Sequence, residues 1–233
     1  MSQKSFGSRL GKAKKLHTIT TNFSDYAAPL ETASVNTLAN TIASIETLQK
    51  ELDKAKSNYT SKTDIRKKVF YDNANSLEKC LSPIGTFIKV LKGSKSTEYT
   101  QVSGFISKIR GGVKKTSSSV SASNTNSISN VERSYASRLS NFKSIIVILT
   151  ELGESYTPSN AFISLEALQE LAITAENCTT EVDVSLSTYT TLVSNRLALF
   201  SDLKLQCQNI KDSIKMQYGI GSNQYAQVKK LDI

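Results

Sequence analysis

The stretch from Leu168 to Ile214, LQELAITAENCTTEVDVSLSTYTTLVSNRLALFSDLKLQCQNIKDSI, decides how this chain folds. It contains no glycine and no proline, and its apolar residues recur in steps of three and four: Leu168, Ala172, Ala175, Cys178, Val182, Tyr189, Val193, Phe200, Leu203, Cys207, Ile210 and Ile214. That spacing lays one row of side chains along one face of an α-helix. The register does not break in the middle, which predicts one continuous helix of coiled-coil type. At 1.5 Å per residue, some 50 residues would reach about 75 Å. A hairpin turning within Ser185 to Ser194 competes with this reading, because serine and threonine crowd there and lower helix propensity.

The same stretch is written a second time upstream. Residues 26–84 align on 156–214 without a gap at a constant offset of 130, matching Tyr26 with Tyr156, Leu38 with Leu168, Glu46 with Glu176, Glu51 with Glu181, Tyr59 with Tyr189, Arg66 with Arg196 and Phe70 with Phe200. The flanks agree too: Phe6 falls near Tyr135 in matched seven-residue segments, and GSKSTEYTQV from Gly93 echoes GIGSNQYAQV from Gly219. Two diverged copies, roughly 4–102 and 133–228, therefore make up nearly the whole chain. In the first copy the stripe runs Leu38, Ile42, Ile45, Leu48, Leu52, Ala55, Tyr59, Arg66, Phe70, Leu77, Cys80, Ile84. It carries the same alternative, a hairpin within Ser57 to Thr63, and Pro83 is expected to kink or end its helix.

Each copy opens on a helical segment of about 20 residues, meets a proline turn (Pro29, Pro158), runs through the long stripe, stops at Gly93 or Gly219 and closes on a short helix near Tyr99 or Tyr225. Ser159 or Asn160 is placed to cap the helix that follows the second turn. The expected fold is all-α: an elongated helical bundle with long coiled-coil-like helices, in which two tandem copies are related by pseudo-twofold symmetry. Residues 1–110 form the first repeat, 111–130 a Gly/Ser-rich linker, flexible by composition, and 131–233 the second repeat. The repeats are expected to pack on each other as one domain, because a lone helical unit leaves an apolar face bare.

The signature Glu132-Arg133-Ser134-Tyr135, Tyr156-Thr157-Pro158-Ser159-Asn160, Arg196 with Phe200, and Gln217-Tyr218-Gly219 resembles a family of uncharacterised helical proteins of about this length from Bacteroidota, expected to be cytoplasmic. The resemblance covers the whole chain and implies no activity, and so no catalytic or binding residue.

Chemistry is hard to build from these residues. His17 is the only histidine, so a Ser/His/Asp or Cys/His catalytic set would have to use it, and its counterpart near Ile146 is apolar. The glycine pairs lack the preceding strand and following lysine of a phosphate loop. Cys80, Cys178 and Cys207 have neither CxxC nor Cys/His spacing and align with Ile210, Leu48 and Leu77, so they read as unpaired, buried core residues. No apolar run approaches the ~20 residues of a membrane span, and the basic N-terminus has no apolar signal core. The expectation is a cytoplasmic, non-enzymatic protein with no metal, cofactor or small-molecule substrate.

Two features remain. Arg66 and Arg196 sit on the apolar stripe, where a charge costs stability unless paired. Each is expected to meet a carboxylate or a tyrosine hydroxyl of another helix, or else to lay its stem along the seam with its head in water. The net charge of +9 is uneven: residues 1–120 hold 20 of the 29 Lys and Arg and 9 of the 20 Asp and Glu, a balance of +11, and the remainder carries −2. A basic half and a mildly acidic half suit head-to-tail self-association into a ring or filament. Alternatively Lys12, Lys14, Lys15, Lys62, Lys67, Lys68, Lys108, Arg110, Lys114 and Lys115 form a basic face that holds nucleic-acid phosphates without sequence preference.

Overall fold

The computed structural model describes residues 5–111 and 130–233, and every regular element among them is helical. Seven α-helices follow in order: α1 (Phe6–Thr21), α2 (Val35–Lys67), α3 (Leu77–Lys92), α4 (Thr97–Ile109), α5 (Asn130–Glu151), α6 (Leu165–Tyr218) and α7 (Asn223–Val228). None is long and apolar enough to cross a membrane. Residues 112–129 of the expected linker, with Lys114 and Lys115, lie outside the described residues.

Local chemistry sets the ends of these helices. Gly93 and Gly219 both adopt φ 90°, a conformation that strains any residue with a Cβ, and their N–H groups bond Lys89 O and Lys215 O at 3.0 Å. Three residues on, Ser96 and Ser222 accept from Tyr99 N and Tyr225 N at 3.1 Å and start α4 and α7. Asn160 caps a 3-10 turn, Ala161–Ile163, by accepting from Phe162 N at 3.1 Å, and Ser164 Oγ then accepts from Ala167 N at 3.2 Å to open α6. The repeated tyrosine has a repeated task. Tyr26 Oη donates to Ala33 O at 2.8 Å and Tyr156 Oη donates to Ile163 O at 2.6 Å, each closing the turn that leads into a long helix.

Helix α6 runs its 54 residues unbroken through the serine- and threonine-rich segment, so the hairpin is not adopted. The first copy departs from expectation ten residues ahead of its proline. Helix α2 ends at Lys67 and loosens into a π-turn, Lys68–Asp72, where Asn73 N bonds Lys68 O at 2.9 Å. A new helix starts at Leu77. The cause is Asn73-Ala74-Asn75-Ser76, which stands where the second copy has Leu203-Lys204-Leu205-Gln206. Asparagine and serine bond nearby backbone in place of the helix ladder, and Ser76 Oγ donates to Tyr71 O at 2.9 Å. Pro83 neither ends nor opens a helix and sits inside α3.

Two compact units partition the chain, one of Met1–Ser57 with Ser187–Ile233 and the other of Asn58–Leu186. The units are not the sequence copies. Both cuts fall inside long helices and at positions that align, to within one residue, at the offset of 130. Each unit therefore joins the first half of one copy to the second half of the other.

The first unit buries Ala13 and Leu16 of α1, Leu38, Ile42 and Ile45 of α2, and Phe200, Leu203, Cys207, Ile210 and Ile214 of α6, closed by Val228, Leu231 and Ile233. The second buries Leu77, Cys80, Leu81, Ile84 and Ile88 of α3, Val102, Ile106 and Ile109 of α4, Tyr135, Leu139, Phe142, Ile145 and Leu149 of α5, and Leu168, Ala172, Ala175 and Cys178 of α6. Burying a Leu, Ile or Phe side chain contributes roughly 1.5–3 kcal/mol, so these stripes dominate the stability of both units.

Replacing Tyr156 with phenylalanine leaves the Ile163 carbonyl without its donor in a buried site. The expected cost is about 1–3 kcal/mol, a fall of a few degrees in melting temperature with helicity unchanged. An unshifted thermal transition would show that the hydroxyl does not hold this turn.

Candidate functional site

The least ordinary chemistry lies where α2 gives way to the π-turn. Arg66 is only 4% exposed, and its guanidinium carbon stands 4.2 Å from the centre of the Tyr135 ring. Phe70 meets that ring edge-on at 4.8 Å, Tyr71 lies 5.8 Å from it, and Arg138 covers the Tyr71 ring at 4.9 Å. In the other unit Arg196 stands 4.4 Å over the Phe6 ring, Phe6 meets Phe200 at 4.8 Å, and Arg9 covers Phe200 at 5.1 Å while donating to its carbonyl at 3.0 Å. The same arginine, aromatic, aromatic, arginine succession thus occurs in each unit. In each, the stripe arginine and its ring come from different copies.

This corrects the expected pairing. Among the described residues neither stripe arginine meets a carboxylate or a tyrosine hydroxyl. Arg66 and Arg196 lie on ring faces, and their Nε atoms are buried with no hydrogen-bond partner among the described residues. Arg196 adds one long contact, Nη1 to Gln49 Oε1 at 3.5 Å. A weakly hydrated, planar guanidinium tolerates such a place better than an ammonium would, and the negative ring face supplies the attraction. The remaining stripe residues divide: Phe70 and Phe200 are buried, Tyr59 and Tyr189 half-buried. The sequence carried a signal for the missing partners, since Phe6 and Tyr135 occupy matching places in the two opening segments. It did not say that these segments reach the opposite copy.

Cys80, Cys178 and Cys207 are unpaired and buried, as expected. Burial raises the pKa of all three thiols, and for Cys207 pushes it up to about 12 against the partial offset of Lys211 and Arg9. Burial likewise holds Tyr156 well above the usual tyrosine range. Such thiols are poor nucleophiles. Among the described residues no group of three or more His, Cys, Asp or Glu is placed to hold a metal ion.

The described basic candidates divide between the two units. Lys12, Lys14 and Lys15 belong to the first unit, and Lys62, Lys67, Lys68, Lys108 and Arg110 to the second. Several are already engaged: Lys14 with Glu46, Lys62 with Glu181 at 3.0 Å, Lys67 with Asp72 at 3.5 Å, Lys12 with Asp232 O at 3.0 Å and Arg110 with Ser82 Oγ at 2.6 Å. Lys108 lies over the Phe105 ring at 5.1 Å, and Lys15 and Lys68 are exposed. The charge contrast between the copies does not carry over to the units. The first unit has 14 Lys and Arg against 8 Asp and Glu, and the second 15 against 12, so both are basic.

An open groove of about 600 Å³ runs between α5 and α6 in the second unit, lined by Leu139, Ser140, Ser144, Val147 and Thr180 beside the Lys143–Glu176 bridge at 2.9 Å. The Ser144, Thr179 and Thr180 hydroxyls there donate to the backbone carbonyls of Ser140, Ala175 and Glu176. Comparison with family models, with curated proteins and with solved structures finds no match for this chain.

Two measurements follow from this geometry. A double-mutant cycle of Arg66→Met and Tyr135→Leu is expected to return a coupling of about 1–2 kcal/mol, as for a desolvated cation on a ring; additive effects would contradict the stacking. Below pH 9 the Cys207 thiol is protonated in folded and unfolded chains alike, whereas between about 9 and 12 only the unfolded chain ionises, so stability falls as pH rises. At pH 11 the loss from this group is on the order of 2–3 kcal/mol. Denaturant midpoints of Cys207→Ala are expected to fall less steeply over this range.

Proposed function

We propose that this protein is a non-enzymatic helical interaction protein that associates with itself. The observation that carries the reading is how the buried polar chemistry is used. Arg66 and Arg196 are committed to ring faces, Tyr26 and Tyr156 to backbone carbonyls, and the thiols are held protonated. These groups fix the register of helices against one another, the best-attested use of polar residues on an apolar seam. The two copies then act as a pseudo-twofold pair that holds long helices in a set geometry.

The surfaces offered to a second molecule carry exposed apolar residues of α6, separated by polar ones. Ile173 and Val184 in the second unit, and Leu205 and Met216 in the first, are between 56% and 70% exposed. Each pair is eleven residues apart, three helical turns, so its members share one face. Such spaced apolar residues are the points at which a second molecule is proposed to make contact. Because both units are basic, contact between unlike charges is not the favoured driving force, and a cytoplasmic setting remains the proposal for location. Non-specific binding of nucleic acid is disfavoured by the lysines already bridged to Glu46, Glu181 and Asp72.

Mass by light scattering tests the reading. The expected result is a species larger than one chain that persists as salt rises from 0.1 to 1 M, since screening weakens charge contacts but not apolar ones. Ile173→Asp with Val184→Asp is expected to reduce that mass while leaving helicity intact. A monomer at all salt concentrations would overturn it, and dissociation at 1 M salt would return the driving force to charge.

A further inference from the structure

We propose that the two copies are exchangeable partners, so that the second copy of one molecule completes the first copy of another, and that their unequal charge selects this unlike pairing. The proposal rests on the self-association reading and names the partner, a second copy of this chain, together with the surface it uses.

The composition of the units carries the argument. Neither copy closes a core by itself: the α6 residues Phe200, Leu203 and Cys207 cluster with Ala13, Leu16, Leu38 and Ile42 of the first copy, and the α5 residues Phe142 and Ile145 with Ile84 and Ile88. The surface that one copy offers is therefore a template for the other, wherever that other copy resides. Its fixed points recur at aligned positions. Arg66 and Phe70 take the Tyr135 ring, and Arg196 and Phe200 take the Phe6 ring. An element that pairs in this way within a chain can pair between chains, with the same contacts and little change in their energy. Linkage in one chain favours internal pairing in dilute solution, so exchange belongs to concentrated conditions and to chains that fold together.

Charge decides which copies pair. The contacts Lys62–Glu181 at 3.0 Å and Glu78–Arg138 at 3.9 Å both join a first-copy residue to a second-copy residue. Glu181 aligns with Glu51, so two first copies would set Lys62 opposite another Glu51 and keep that bridge. Local bridges therefore do not discriminate. The totals do: residues 1–120 carry +11 and the remainder −2, so two first copies would unite twice +11 where the unlike pair carries +9. This gives the uneven charge a use that neither a nucleic-acid face nor a polar surface contact between units supplies.

Cross-linking of full-length chains tests both parts. Lys62→Cys and Glu181→Cys in one chain should close with a short bismaleimide without changing the mass. Failure to close would overturn the pairing on which the proposal stands. Chains bearing only Lys62→Cys are then unfolded and refolded at high concentration with chains bearing only Glu181→Cys. A covalent dimer, absent when either variant is treated alone, is expected, and its absence overturns exchange. In the mixture of Lys62→Cys with Glu51→Cys, which reports pairing of two first copies, the cross-linked fraction at 0.1 M salt is expected to be at least about tenfold lower, the factor that 1.4 kcal/mol supplies, and to rise at 1 M. Equal yields at low salt overturn the role of charge. Large particles by light scattering with no cross-linked dimer would leave surface association standing and remove exchange alone.

Discussion

A long helix with one apolar face must be covered along its whole length, and the chain that forms it cannot double back inside it. The structure depends on this constraint. Helix α6 carries its stripe through 54 residues without a turn, so the segments that cover it must come from elsewhere in the sequence. The half from Leu168 to Cys178 shares a core with α3, α4 and α5, and the half from Phe200 to Ile214 shares one with α1, α2 and α7. Exchange of halves between the copies is the geometrical consequence.

The buried arginines show what this arrangement requires beyond burial. An apolar stripe in steps of three and four can slide by a heptad at small cost, because one Leu or Ile resembles the next. A guanidinium seated on a single ring cannot. Arg66 over Tyr135 and Arg196 over Phe6 each tie a long helix to an opening helix of the opposite copy. The two buried Nε atoms without partners mark the cost of that device.

The asymmetry between the copies is equally physical. Asn73-Ala74-Asn75-Ser76 ends the first long helix in a π-turn, and the aligned Leu203-Lys204-Leu205-Gln206 lets the second run on. Four residues thus give one copy a shorter helix and a separate α3, which packs with α4 and α5. The shared Gly93/Gly219 stops and Ser96/Ser222 caps keep the next turn alike in both copies, because φ 90° and an accepting hydroxyl leave little freedom at those places.

The sequence by itself determined the helical class, the unbroken α6, the glycine stops and the burial of the cysteines, because periodicity, positive φ and small apolar size act locally or on one face at a time. It also displayed Arg66 and Arg196 as misplaced charges. Their partners, the break ahead of Pro83 and the mixing of basic with mildly acidic halves were decided only in the tertiary structure. A stripe records which side of a helix is buried and carries no label for the segment that buries it. Tyr135, Phe6 and the composition of each unit were fixed when the halves of the two copies met.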